Sequence, residues 1–334
     1  MKNYSIRDRE NMYIRHSNYT LPITSRKFYI GLVPTPKNYP NSTFEDMVAA
    51  YIEAGDIAEI CMVWVKKQGI GEYQILKNNR IIEALRTYGL KPVITLNFAT
   101  IKKGVGGLEY VIDAPEGIPA NLSDPKFRSR WIEEAKNIAS EFKPEYFSLG
   151  NEINDYFYLH PDEFEEYLTL FEEAKKEIKR VSPNTKVFVV FSYNHLIENN
   201  QWDLLERIES KADLIGITTY PWKHYDTPED IPEDYYLRIS KYTTKPIAFT
   251  EIGWISSPPA SENQQSEFLL RFLELTKELK IEMVNWLFLH EIQTEGLIGA
   301  FTDPRVGTIA LKMSDGTKKD IYNLWLDLKE LPRR

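Results

Sequence analysis

A chain of 334 residues with 43% hydrophobic and 27% charged side chains can bury a large core, and its composition is that of an ordinary soluble globular protein, neither disordered nor fibrous. Its 49 acidic against 41 basic side chains leave a formal charge of −8, without the basic footprint of a nucleic-acid binder, and no apolar run reaches the roughly 18–20 residues needed to cross a bilayer. The single Cys61 excludes an internal disulfide framework and a cysteine-based zinc site; lying in an apolar run, it reads as a buried, inert thiol.

Residues 1–25 are polar and carry no period, so they read as an N-terminal arm or a cover over one end of the fold. They hold no apolar central stretch of the kind a signal peptide needs, which fits a cytoplasmic protein, or a secreted one whose leader has been removed. Asn-x-Ser/Thr triplets at Asn18, Asn41 and Asn121 do not decide between the two.

From residue 26 to 334 one pattern repeats: a short run rich in β-branched and aromatic residues, then a longer amphipathic charged segment. The strand-like runs are Lys27–Val33, Ile57–Val63, Lys91–Asn97, Tyr146–Gly150, Lys186–Phe191, Asp213–Thr218, Pro246–Thr250 and Glu282–Phe288. Between them a helix starts at the capping residue Thr43 and is stopped by Gly55. Further helices are expected near 72–88, 125–142, 161–180, 201–210, 232–242, 261–279 and 317–329. Most steps between successive strands suit one βα unit of about 30 or more residues. Eight alternations without a break in composition predict an α/β protein with a single (β/α)8 TIM barrel over 26–334. An open doubly wound sheet would put a glycine-rich turn after its first strand, where this chain has Gly31-Leu-Val-Pro-Thr-Pro36. Two long loops, Ala99–Ser123 and Glu291–Gly316, would leave the carboxyl ends of the third and eighth strands, the face on which such barrels build active sites.

The strand ends carry the chemistry. The fourth strand ends in Ser148-Leu-Gly-Asn-Glu-Ile-Asn154 and the seventh in Ala248-Phe-Thr-Glu-Ile-Gly-Trp254, so each delivers a carboxylate, Glu152 and Glu251, as it leaves the sheet. In an eight-stranded ring these strands face each other across the mouth with two strands between them. Two converging carboxyl groups are what glycoside hydrolysis needs: one protonates the leaving oxygen, the other attacks or steers the anomeric carbon. Their protonation must differ, with Glu152 holding a proton and Glu251 ionised. Tyr220, ending the sixth strand, is placed to donate to Glu251, and Asn151 to bind a sugar hydroxyl beside the reacting carbon. A rim aromatic and a turn residue are their plainer readings.

Leu-Gly-Asn-Glu-Ile at the fourth strand, Thr-Glu-Ile-Gly-Trp at the seventh and an aromatic-rich eighth strand resemble clan A of the glycoside hydrolases. Within the clan, the strand ends and layout are most similar to the endo-β-1,4-galactanase family. The resemblance implies a retaining (β/α)8 enzyme of carbohydrate metabolism acting on β-linked oligo- or polysaccharides by double displacement. Glu152 would be the acid/base, Glu251 the nucleophile, Asn151 the hydroxyl binder and Tyr220 the nucleophile's partner. The galactanase family has an Asp-Phe-His type motif where this chain has Asn97-Phe98-Ala99, leaving Asn97 as the substrate-binding candidate there. Its Glu-Thr-Gly-Tyr-Pro is here Glu251-Ile-Gly-Trp-Ile, and Met62-Val-Trp-Val-Lys-Lys67 stands where other clan families carry an arginine.

Trp64, Trp222, Trp254 and Trp286 fall at or just beyond strand ends and are candidates for packing on sugar faces, with Trp286 as a floor for the reacting sugar; core packing is the alternative for each. Trp131, Trp202 and Trp325 sit in helices and read as core. His16, His160, His195, His224 and His290 are scattered without metal-ligand spacing, so no metal and no cofactor is expected. The expected partner is a carbohydrate substrate, with no nucleic acid and no membrane, for a monomer or weak homo-oligomer. Two other functions stay open: a barrel that binds saccharides or transfers glycosyl groups without hydrolytic turnover, and a Schiff-base lyase or aldolase. For the latter, Lys27, Lys91 and Lys186 start their strands and so lie at the wrong face.

Overall fold

The computed structural model describes residues 15–65, 72–104, 107–293 and 303–334. Eight parallel strands close on themselves: β1 (Tyr29–Val33), β2 (Ile60–Val65), β3 (Lys91–Leu96), β6 (Tyr146–Ser148), β7 (Lys186–Ser192), β8 (Ile215–Thr219), β9 (Ile247–Ile252) and β10 (Ile281–His290), with Tyr29 opposite Met283 sealing the ring. This is a single (β/α)8 barrel, in the strand order expected. A hairpin, β4 (Ala99–Gly104) with β5 (Gly107–Ile112), occupies the loop after β3, and a short β11 (Ala310–Lys312) pairs with the end of β10. Of the long loop after the eighth barrel strand, residues 294–302 lie outside the described residues, as do residues 1–14 of the arm.

The period of two along each strand builds two layers. Ile60, Met62, Val93, Tyr146, Phe188, Val190, Ala248 and Met283 of the strands, with Leu214 just before β8, form a cluster that is the barrel's lumen. Alternate residues such as Leu32, Ile94, Phe147, Val189, Ile217 and Phe249 join the helices in the outer core. The helical layer comprises α1 (Phe44–Ile57), α2 (Glu72–Asn78), α3 (Ile81–Thr87), α4 (Pro125–Phe142), α5 (Ile153–Leu159), α6 (Phe164–Val181), α7 (Tyr193–Glu198), α8 (Trp202–Glu209), α9 (Glu262–Leu275) and α10 (Asp320–Glu330). From the arm, the backbone N–H groups of His16 and Ser17 donate to the Asp327 carboxyl on α10 at 2.6 and 3.0 Å.

Three helices depart from expectation for local reasons. The segment 72–88 is two helices, because Arg80 sits in the left-handed region (φ 53°) and restarts the spiral. No α-helix forms over 232–242: Tyr235 and Tyr236 are both buried ahead of a 3₁₀ segment, Leu237–Lys241. Thr43 does cap α1, with a reciprocal bond from Asp46, but Gly55 lies inside the helix and does not end it. A Cβ at Gly55 would come within 2.4 Å of the Tyr88 carbonyl oxygen, so glycine there permits close helix packing. Alanine's propensity advantage of about 1 kcal/mol is then outweighed by overpacking of about 1–3 kcal/mol. Gly55→Ala is expected to lower the urea midpoint; an unchanged or raised midpoint would remove the close-approach explanation.

Candidate active site

The turn leaving β6 sets the first carboxylate. Ser148 Oγ donates to the Gly150 carbonyl at 2.8 Å, Tyr167 Oη to the Leu149 carbonyl at 2.8 Å, and Val190 N–H to the Gly150 carbonyl at 3.0 Å. A Cβ at residue 150 would meet Ile153 Cγ2 at 2.5 Å, so glycine is required for the turn to close on α5. Glu152 then sits at φ 49°, ψ 44°, a left-handed conformation unfavourable for a side-chain-bearing residue, at the start of α5. Such strain costs on the order of 1–3 kcal/mol and persists where surrounding bonds over-determine it. Here they aim the side chain along the mouth, where Thr218 Oγ1 donates to Glu152 Oε1 at 2.6 Å.

The second carboxylate lies three strands away, with β7 and β8 between. Glu251 is paired in register with Thr218, next to a bulge between β8 and β9. Tyr220 Oη donates to Glu251 Oε2 at 2.5 Å, and Asn151 Nδ2 to Glu251 Oε1 at 3.4 Å. Thr218 thus binds Glu152 while lying beside Glu251, and Asn151 binds Glu251 while preceding Glu152, so the carboxyl groups share one site. Asn97 holds the backbone rather than facing the mouth alone: its Oδ1 accepts the Asn151 N–H at 2.5 Å. Asn194 clamps Tyr220, accepting its N–H at 3.1 Å and donating to its carbonyl at 3.3 Å.

Burial, the facing Asp155 and the partner Glu251 push Glu152 up to about 7, against the Thr218 hydrogen bond and the Lys223 charge. Burial also raises Glu251, while the donors Tyr220 and Asn151 and the nearby Lys223 pull it down. These hydrogen bonds favour the ionised form, as expected, and offset only part of the effect of burial.

The tryptophans divide. Trp64 is half-buried at the end of β2, packed against the lumen cluster. Trp222 follows Tyr220 and lies under the Arg305 guanidinium, 5.2 Å above its ring. Trp254 and Trp286 are not on the rim. Trp286 points outward from β10 into the helices, 6.3 Å from Phe268 and 6.4 Å from Trp325, and Trp254 packs on Phe268 at 5.5 Å; both are at most 1% exposed. The reason is strand parity: Asn285, the neighbour of Trp286, takes the inward position opposite Gly31. His290 is likewise occupied, its Nδ1 bonded to the Thr35 carbonyl at 2.7 Å.

Sequence reasoning missed Thr218, Asp155, His195, Lys223 and Tyr110, which surround Glu152. Thr218 was findable as the residue one strand period before Tyr220, and Asp155 as the acid one helical turn beyond Glu152. Tyr110 arrives on a hairpin that composition did not reveal. Among the described residues no group of three His, Cys, Asp or Glu side chains could hold a metal ion, and no helix is long and apolar enough to cross a membrane.

A hydrogen bond to a charged group contributes roughly 1.5–3 kcal/mol, and one pKa unit is about 1.36 kcal/mol. Tyr220→Phe is therefore expected to raise the Glu251 midpoint by about 1–2 units, read by carboxyl-carbon NMR. A midpoint that stays put would show that Tyr220 does not stabilise the ionised form.

Residues 135–285 match the family model described as Glycosyl hydrolase family 53, a stretch that runs from α4 into β10 and contains both carboxylates. No curated protein sequence matches the chain. Among solved structures it is similar to the exo-β-1,4-mannosidase Op5Man5 of Opitutaceae bacterium strain TAV5, with a TM-score of 0.68 and 14% identity over 94% of this chain and 61% of that one. The chain therefore spans about three fifths of that enzyme's length. A GH5_18 protein of Streptomyces cattleya, in complex with Manβ1-4GlcNAc, gives 0.71 and 13% over 92% and 83%. A family 39 glycoside hydrolase of Bacteroides cellulosilyticus WH2 gives 0.58 and 16% over 92% and 64%. At these identities the structural likeness is one of fold. The family match lies across the part of the closed barrel that delivers Glu152 and Glu251.

Proposed function

We propose that the protein is a retaining glycosidase that cleaves β-linked oligo- or polysaccharides, with Glu251 as nucleophile and Glu152 as acid/base. The observation that carries this reading is the unequal treatment of two carboxyl groups in one site. Glu251 accepts from Tyr220 and Asn151, which favour its ionised form, while Glu152 keeps its proton up to about 7.

In the first step Glu251 Oε attacks the anomeric carbon, the bond to the glycosidic oxygen breaks, and the Glu152 proton passes to that oxygen. The product is a glycosyl ester on Glu251. In the second step the Glu152 carboxylate takes a proton from water, whose oxygen attacks the anomeric carbon and frees Glu251. As negative charge leaves Glu251, the Tyr220 hydroxyl loses its charged acceptor, and Asn151 Nδ2 can turn to the sugar hydroxyl beside the reacting carbon. Trp64 and Trp222 are the aromatic faces proposed for sugar contact. The family 53 match favours β-1,4-galactan as the first substrate to try, and Manβ1-4GlcNAc, bound by a structural neighbour, as the second. A binding-only barrel would have no use for two converging carboxyl groups, one buried and one half-buried, each costly to ionise.

The expected first product is the β anomer, read by proton NMR during early hydrolysis; an α anomer would remove double displacement. Glu251→Gln is expected to cut turnover by about 10³-fold or more without altering the thermal melt. Full activity in that variant would reject Glu251 as nucleophile.

A further inference from the structure

The steps above leave unused a cluster that leans on Glu152. Asp155 lies one turn along α5, and its N–H donates to the Glu152 carbonyl at 3.0 Å. Its Oδ1 meets His195 Nδ1 at 2.6 Å, and its Oδ2 accepts the Tyr110 hydroxyl at 3.4 Å. Three separate excursions from the barrel supply these groups: α5 after β6, α7 after β7, and the hairpin after β3. The Asp155 side chain is 8% exposed and that of His195 39%, so the pair runs from beneath Glu152 out to solvent.

Resting on the assignment of Glu152 as acid/base, we propose that the Asp155–His195 ion pair, steadied by Tyr110, is the positioning device that keeps the proton on Glu152 as the medium becomes more alkaline. The Asp155 carboxylate is a like charge facing Glu152 and favours its neutral form. A protonated His195 offsets that charge. When the imidazole releases its proton, the uncompensated carboxylate faces Glu152, which then holds its own proton more tightly. The hydrogen bond to Asp155 keeps His195 above the usual imidazole range, against its partial burial.

The other groups facing this centre come from the opposite wall. Glu251 on β9 raises Glu152, while Thr218 on β8 and Lys223 in the turn after β8 lower it; Lys223 also lowers His195. Tyr110 is pushed upward by burial and by both acids, so it stays a neutral donor. The alkaline limit of proton donation is thus set jointly by Glu152 and His195.

Carboxyl-carbon NMR titration of the full chain tests this, with the Glu152 signal assigned by its loss in Glu152→Gln. Asp155→Asn is expected to lower the Glu152 midpoint by about one unit, and His195→Gln to raise it by about half a unit. Opposed shifts from the two halves of one pair are not produced by a merely structural contact. In active enzyme the alkaline limb of kcat/KM follows the same two directions. Shifts in one direction, or none beyond about 0.2 units, overturn the device. His195 is partly exposed, so His195→Gln carries the test even where Asp155→Asn fails to fold. The titration needs no substrate: opposed shifts in a protein that cleaves no glycoside would refute only the hydrolase reading, and unmoved midpoints in an active enzyme only the device.

Discussion

Two carboxyl groups confined to one rim, Glu251 buried and Glu152 half-buried, cannot both ionise freely, since little water screens them and the charge of one disfavours ionising the other. The rest of the site answers to that constraint. Glu251, 9% exposed, accepts from a buried phenol and an amide, which makes ionisation tolerable. Glu152 accepts one hydroxyl hydrogen bond and faces another acid, which makes it costlier. The same barrel mouth therefore holds one carboxyl poised to attack and another poised to donate.

Holding that asymmetry takes a stiff frame. Three amides bridge neighbouring strand ends: Asn97 fixes the backbone of Asn151, Asn194 fixes that of Tyr220, and the fully buried Asn154 ties α5 to β7 by accepting the Ser192 N–H at 2.8 Å and donating to the Ser192 carbonyl at 3.1 Å. Each bond adds only about 1 kcal/mol net, but breaking one strands a buried polar group at greater cost. Beneath them Phe98, Tyr156, Phe157 and Tyr167 pack ring against ring, supporting the strained turn that presents Glu152.

Much of this was legible in the chain. Eight apolar runs, each followed by a charged amphipathic segment, found the strands because burial on both faces leaves a short continuous signal. Carboxylates at two strand ends stood out for the same reason, as did Tyr220. The tryptophans were misjudged where strand parity mattered: Trp286 is one residue from an inward position, and the sequence alone does not fix register to that precision. The hairpin bearing Tyr110 was hidden because its strands lack the apolar alternation of a packed sheet. His195 looked isolated, since its partner Asp155 comes from another βα unit.

The proposal that Glu251 forms a glycosyl ester is tested most directly by trapping that ester. Incubation with an activated 2-deoxy-2-fluoro-β-glycoside, followed by proteolysis and peptide mass mapping, should show one added fluorosugar on the peptide containing Glu251. A label carried by Glu152 or another residue, or hydrolysis of the parent glycosides with no adduct at any site, would contradict the account.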